Sequence, residues 1–84
     1  MSADADIQRL ENRARLAIQT GVSALTAKGH VEYAINHAKH ARIDGTLRKD
    51  LDKALELLDR VVVGAEHSRR RIARKIERKE QANG

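Results

Sequence analysis

Two stretches hold the residues with the most chemical potential. "HVEYAINHAKHARID", residues 30–44, sets His30, Tyr33, His37, His40 and Asp44 on one side of a helix. His37 and His40 are three apart and Asp44 follows four later, a spacing at which imidazole and carboxylate can share a metal ion. His67 could add a fourth ligand if its helix faced this one. The set lacks a HExxH core, and exposed histidines are common on helices. A polar or interfacial face is therefore expected here, with no metal and no cofactor, and His37, His40 and Asp44 come nearest to a ligand set.

The second stretch is "HSRRRIARKIERK", residues 67–79, in which seven of thirteen residues are Arg or Lys and only Glu77 opposes them. The chain carries a net charge of +5, and its uneven placement matters more than its size. Residues 1–66 hold ten basic and ten acidic residues, so the whole excess lies in residues 67–84. On a helical wheel Ile72 and Ile76 share one side, while Arg70, Arg71, Arg74, Lys75 and Arg78 gather opposite. Like charges at i,i+4, such as Arg70 with Arg74 and Arg74 with Arg78, oppose the helix by about 0.2–0.5 kcal/mol each. An anionic partner would offset that cost. An acidic protein surface fits, because Arg is favoured at interface anchors. A nucleic-acid backbone is also attracted by this charge density, although the segment has no aromatic for stacking and no known reading motif. Membrane lipid fits least, since the apolar side lacks Trp and Phe.

Catalytic signals are absent. The glycines are isolated, so no phosphate loop forms. "LRKDLDKALELLDR" mixes acids and bases, but Arg48, Asp52 and Arg60 read as a solvated face around Leu51, Leu55 and Leu58. A non-enzymatic protein is expected.

The elements that must hold these residues are helices. Ile7, Leu10, Ala14, Ala17, Gly21 and Ala24 recur at alternating steps of three and four, the spacing of one buried helical stripe. Ile18, Val22 and Leu25 widen it on one side. Small residues fill its middle, and close helix packing is the expected compensation for Gly21. Ser2 can cap this helix, with Asp4 and Asp6 favourable in its first turn. Gly29 could end it, giving helices of about 3–28 and 30–43. The count nevertheless continues onto Val31, Ile35 and Ala38, which fits one kinked helix as well, although Lys28 and Arg42 fall on stripe positions.

"DGT" at 44–46 marks a turn, with Gly45 suited to a left-handed helix end and Thr46 to a cap. A further helix then spans about 47–79 with an apolar interface of Leu51, Leu55, Leu58, Val62, Ala65, Ile72 and Ile76, begun by Leu47. "VVVG" at 61–64 is β-prone alone but sits in phase with this helix. The fold expected is all-α, a helical hairpin or three-helix bundle in a single domain spanning 1–84.

Eighty-four residues without Phe, Trp or Cys, and with Tyr33 as the lone aromatic, make a thin core. A chain this short buries only about 60% of its unfolded surface. Small domains in that position often gain burial by oligomerising, so a homodimer is expected. No apolar run approaches the roughly 18 residues of a membrane span, and "MSADADIQRL" has no signal-peptide character. A cytoplasmic protein with no membrane contact is expected. In length and helical layout the plan resembles small phage- or plasmid-type helical regulators, a likeness that rests on no motif and carries no site residue across. The function expected is binding and modulating, by inhibition or adaptation, a larger partner protein. Ala65, Ile72 and Ile76 would offer it an apolar edge beside the Arg face. The alternative is a nucleic-acid-binding regulator using Arg70, Arg71, Arg74, Lys75 and Arg78.

Overall fold

The computed structural model describes the backbone of residues 2–83 and the side chains of residues 4–82. Two helices of 39 residues each, α1 (Ser2–His40) and α2 (Gly45–Asn83), pack along their length as an antiparallel hairpin. Among the described residues there is no strand, and "VVVG" is helical. α1 passes through Gly29 without interruption, so the hairpin has two helices and no third. An interior glycine costs about 1 kcal/mol relative to Ala but does not break a helix whose packing continues on both sides. The cap expected of Ser2 lies outside the described side chains.

The packing is a coiled-coil seam. From α1 it takes Ile7, Leu10, Ala14, Ala17, Gly21, Ala24, Lys28, Val31, Ile35 and Ala38, all buried or half-buried. From α2 it takes Leu51, Leu55, Leu58, Val62, Ala65, Arg69, Ile72, Ile76 and Lys79, equally covered. Gly21 lies opposite Ala65, and that pair sets the register. A Cβ added at Gly21 would sit 3.5 Å from the Ala65 Cβ, an ordinary contact, so close packing is not what keeps glycine there. Leu47, expected to begin the α2 stripe, is 54% exposed. Two successive steps of four, from Leu47 to Leu51 and on to Leu55, rotate it off the seam.

The turn differs from its sequence reading. Arg42, not Gly45, adopts the left-handed conformation, at φ 55°. Ile43 N–H donates to Ala38 O at 3.0 Å and Arg42 N–H to Lys39 O at 3.3 Å, the two bonds of a Schellman ending. The cap of α2 is Asp44, not Thr46: its Oδ1 accepts the Thr46 N–H at 2.6 Å. Thr46 stands two residues inside, where its N–H is one of the orphan donors that a cap satisfies.

The result is a rod, with Cα extents of 62 × 13 × 13 Å. Its radius of gyration is 18.8 Å, against about 12 Å for a compact chain of this length. Its accessible surface is 6528 Å², against about 5,000 Å² for a compact protein of this mass. Among the described residues only Leu10, Ala24, Ala38 and Ile72 are buried, each 6–7% exposed. No helix of the described residues is long and apolar enough to cross a membrane.

Candidate functional site

A two-helix seam leaves two long flanks, and the residues beside the seam decide their character. At the open end, where the chain begins and ends, Arg9 and Arg13 of α1 line a groove with Lys75, Arg78 and Lys79 of α2. Arg13, Arg71 and Lys75 line its continuation over Ile72. Asp6 is the one acid in that lining, and it holds Lys79 at 3.4 Å and Arg9 at 3.7 Å. Arg13, Arg71, Lys75 and Arg78 have no acidic partner within 4.0 Å among the described residues. Arg71 and Arg78 are two turns apart on one face of α2, about 10 Å.

The five basic residues singled out from the sequence are therefore divided. Arg71, Lys75 and Arg78 share the groove. Arg70 lies on the other flank and donates to Glu66 Oε1 at 3.1 Å, while Arg74 points away from the seam on the outer face of α2. The contribution of Arg9 and Arg13 was not legible, because the wheel of one helix says nothing about its neighbour's charges. The nearest signal was their spacing of four beside Leu10, on the arm of the hairpin that must run past residues 71–78.

The opposite flank has a different composition. At the middle of the rod Ile18, Val22 and Leu25 are 50%, 57% and 53% exposed. They line an open groove with Ala17, Gly21, Val62 and Ala65. Val63, on the same side of α2, is 56% exposed. Ion pairs ring this patch. Arg69 grips Glu66 through Nε at 2.9 Å and Nη2 at 2.6 Å, and Lys28 Nζ meets Asp59 at 2.8 Å. The two guanidinium groups of Arg69 and Arg70 hold the Glu66 carboxyl down to about 2, the Arg69 hydrogen bonds foremost. The hydrogen bond and charge of Asp59 raise the Lys28 ammonium above its ordinary value. Lys28 and Arg69 can thus occupy seam positions by leaving their stems on the seam and turning their heads to the rim.

The apolar edge Ala65, Ile72 and Ile76 lies along the seam with α1, as do Leu51, Leu55, Leu58 and Val62. The basic end of α2 is thus part of the hairpin and not a free tail. The histidine face is also committed elsewhere. His40 Nδ1 lies 3.1 Å from Asn36 O, Tyr33 and His37 meet edge to face at 4.5 Å, and Asp44 caps α2. His67 stands near the level of residue 19, about 27 Å along the rod from His37. No group of three His, Cys, Asp or Glu among the described residues could hold a metal ion. No family model matches the chain, and no curated protein or solved structure matches it either.

Proposed function

We propose that the chain is a non-enzymatic interaction module of the cytoplasm that binds and modulates a larger partner protein, working as a homodimer. The observation that carries this reading is the mid-rod patch of Ile18, Val22, Leu25 and Val63, four large apolar side chains each at least half exposed. Apolar groups enclosed by charged neighbours resemble the core and rim of a protein interface. A phosphate backbone would gain nothing from covering them. The non-enzymatic part is supported by the ionisable groups: among the described residues no polar or charged side chain is buried, and Lys28, Asp44, Glu66 and Arg69 are shifted by surface ion pairs and a helix cap.

A second reading, nucleic-acid binding, is favoured by the four cations without acidic partners in the open-end groove. About four phosphate contacts would give a log–log salt slope of roughly −3 to −4 on duplex.

One experiment separates the two. The full chain, with Val22→Asp and Arg13→Glu/Lys75→Glu variants, is used for affinity capture with and without nuclease. The protein reading expects one protein enriched after nuclease, lost with Val22→Asp and kept by the groove variant. A partner that survives Val22→Asp removes the patch as the docking surface. Capture that is nuclease-sensitive and lost only in the groove variant transfers the function to nucleic acid.

A further inference from the structure

The positions beside the seam on the basic flank change character halfway along the rod. Towards the open end they are Arg13, Thr20, Ser68 and Lys75. Towards the turn they are Ala27 and Ala34 on α1, Ala41 just past its end, and Leu47, Ala54 and Val61 on α2. Leu57 lies just outside them. Leu47, Leu57 and Val61 are 54%, 45% and 43% exposed. In this half each helix is apolar at three positions in seven, the pattern of a helix with more than one packing neighbour, whereas a two-stranded seam needs only two. On the opposite flank of this half the equivalent positions are Leu25, Glu32, Lys39, Asp52 and Asp59, of which only Leu25 is apolar.

We infer that a second copy of the chain covers this half-flank, running antiparallel to the first, with a twofold axis at the level of Ala34 and Ala54. The inference rests on the homodimer part of the proposed function and names its surface. Three observations select a second copy. The half-flank is nearly neutral, so it fits a partner with the same composition and not an acidic or basic one. It is self-complementary: an axis at Ala34 sets Ala27 against Ala41 of the copy, and the same axis at Ala54 sets Leu47 against Val61. The rows of alanine let the two α1 helices approach closely, while the larger residues fill the space between the two α2 helices. Each turn lies about 13 Å from the axis, so the two rods overlap over a strip about 25 Å long and about 20 Å wide. Counting both copies, that is about 1,000 Å², the least that a specific interface buries.

Charge selects the antiparallel direction. A parallel pair would bring two sets of Arg9, Arg13, Arg71, Lys75 and Arg78 together at one end. The antiparallel pair sends them to opposite ends, leaving both grooves open and the mid-rod patches uncovered.

The native chain has no cysteine, so single-cysteine variants report the face directly. Sedimentation equilibrium of the full chain is combined with mild oxidation of Ala34→Cys and Val22→Cys. The expected result is a dimer, covalently locked for most of the Ala34→Cys protein and for little of the Val22→Cys protein. Val61→Asp should weaken the dimer by at least about 100-fold while helical circular dichroism is retained, since Val61 is outside the seam. A dimer that oxidation locks in the Val22→Cys variant and not in the Ala34→Cys variant overturns this face and leaves the homodimer standing. Locking only in a mixture of Ala34→Cys with Ala54→Cys overturns the antiparallel direction. A monomer at hundreds of micromolar overturns both the face and the homodimer.

Discussion

Lys79 Nζ lies 3.4 Å from Asp6 Oδ2, joining residues 73 apart in sequence across the open end of the rod. The pair spans a register in which the last turns of α2 lie against the first turns of α1, and that same register places Arg9 and Arg13 beside Lys75 and Arg78. Exposed ion pairs contribute about 0–1 kcal/mol. Asp6→Asn should therefore change the melting temperature little. It should, however, remove the one acid facing the groove, so the protein should elute from an anionic resin at higher salt than wild type. Elution at equal or lower salt would show that Asp6 does not oppose anion binding.

Arg42 closes α1 in a conformation that costs an L-residue about 1–2 kcal/mol. Arg42→Gly relieves this while preserving the two Schellman bonds. The expected outcome is a gain of about 1 kcal/mol, or roughly 4–8 °C in melting temperature for a domain of this size. Asp44→Ala removes the acceptor for the Thr46 N–H and should lower the melting temperature by the few degrees that a lost helix cap costs a small domain. Thermal denaturation followed by circular dichroism checks both, and opposite signs are required.

Gly21→Ala should stabilise by about 1 kcal/mol, the ordinary helical preference for Ala, because the new Cβ meets Ala65 at normal contact distance. A loss of stability would mean that the helices approach more closely at Ala65 than this geometry shows.

These substitutions also mark how much could be read from the residues alone. The seam was legible because its period survives Gly29, and the two-helix hairpin follows from it. The turn was misassigned because Gly is the usual left-handed residue, whereas the bonds from Ile43 and Arg42 require that conformation three residues earlier. The basic groove was half legible. Spacing within α2 identified Arg71, Lys75 and Arg78, but Arg9 and Arg13 join them only through the register of the hairpin. Arg70 was grouped with them because a one-helix wheel merges everything opposite Ile72 and Ile76. In the hairpin the flanks split, and Glu66 captures Arg70.

Stability should fall in acid, with an identifiable source. The folded-state pKa of Glu66 is held down to about 2, first by its hydrogen bonds from Arg69. Asp44 is also lowered, chiefly by the Thr46 backbone hydrogen bond. A carboxylate depressed in the folded state stabilises above its unfolded value and loses that contribution as pH falls through its folded one. For Glu66 the window runs from about 4.5 down to about 2. Glu66→Gln should flatten the dependence of melting temperature on pH in that window. Lys28 has the opposite sign: its pKa is raised by Asp59, so its contribution holds below its ordinary value of 10.5 and fades as pH rises through the folded one.

Charge placed in the seam should be tolerated unevenly. Ile72 is 7% exposed, and it lies beneath Arg13, Arg71 and Lys75, none of which has an acidic partner among the described residues. A lysine there would be covered among like charges, a cost of several kcal/mol. That is comparable with the whole stability of a small domain, so Ile72→Lys should unfold the chain at 25 °C. Leu58 is also a seam residue, but the register set by Gly21 and Ala65 places it level with Lys28, whose ammonium already reaches across to Asp59. An aspartate at 58 would have that cation within reach and lie at a half-exposed site, so Leu58→Asp should stay partly folded. Circular dichroism of both variants decides it. Equal loss of helix in the two would show that Lys28 cannot turn inward from the rim.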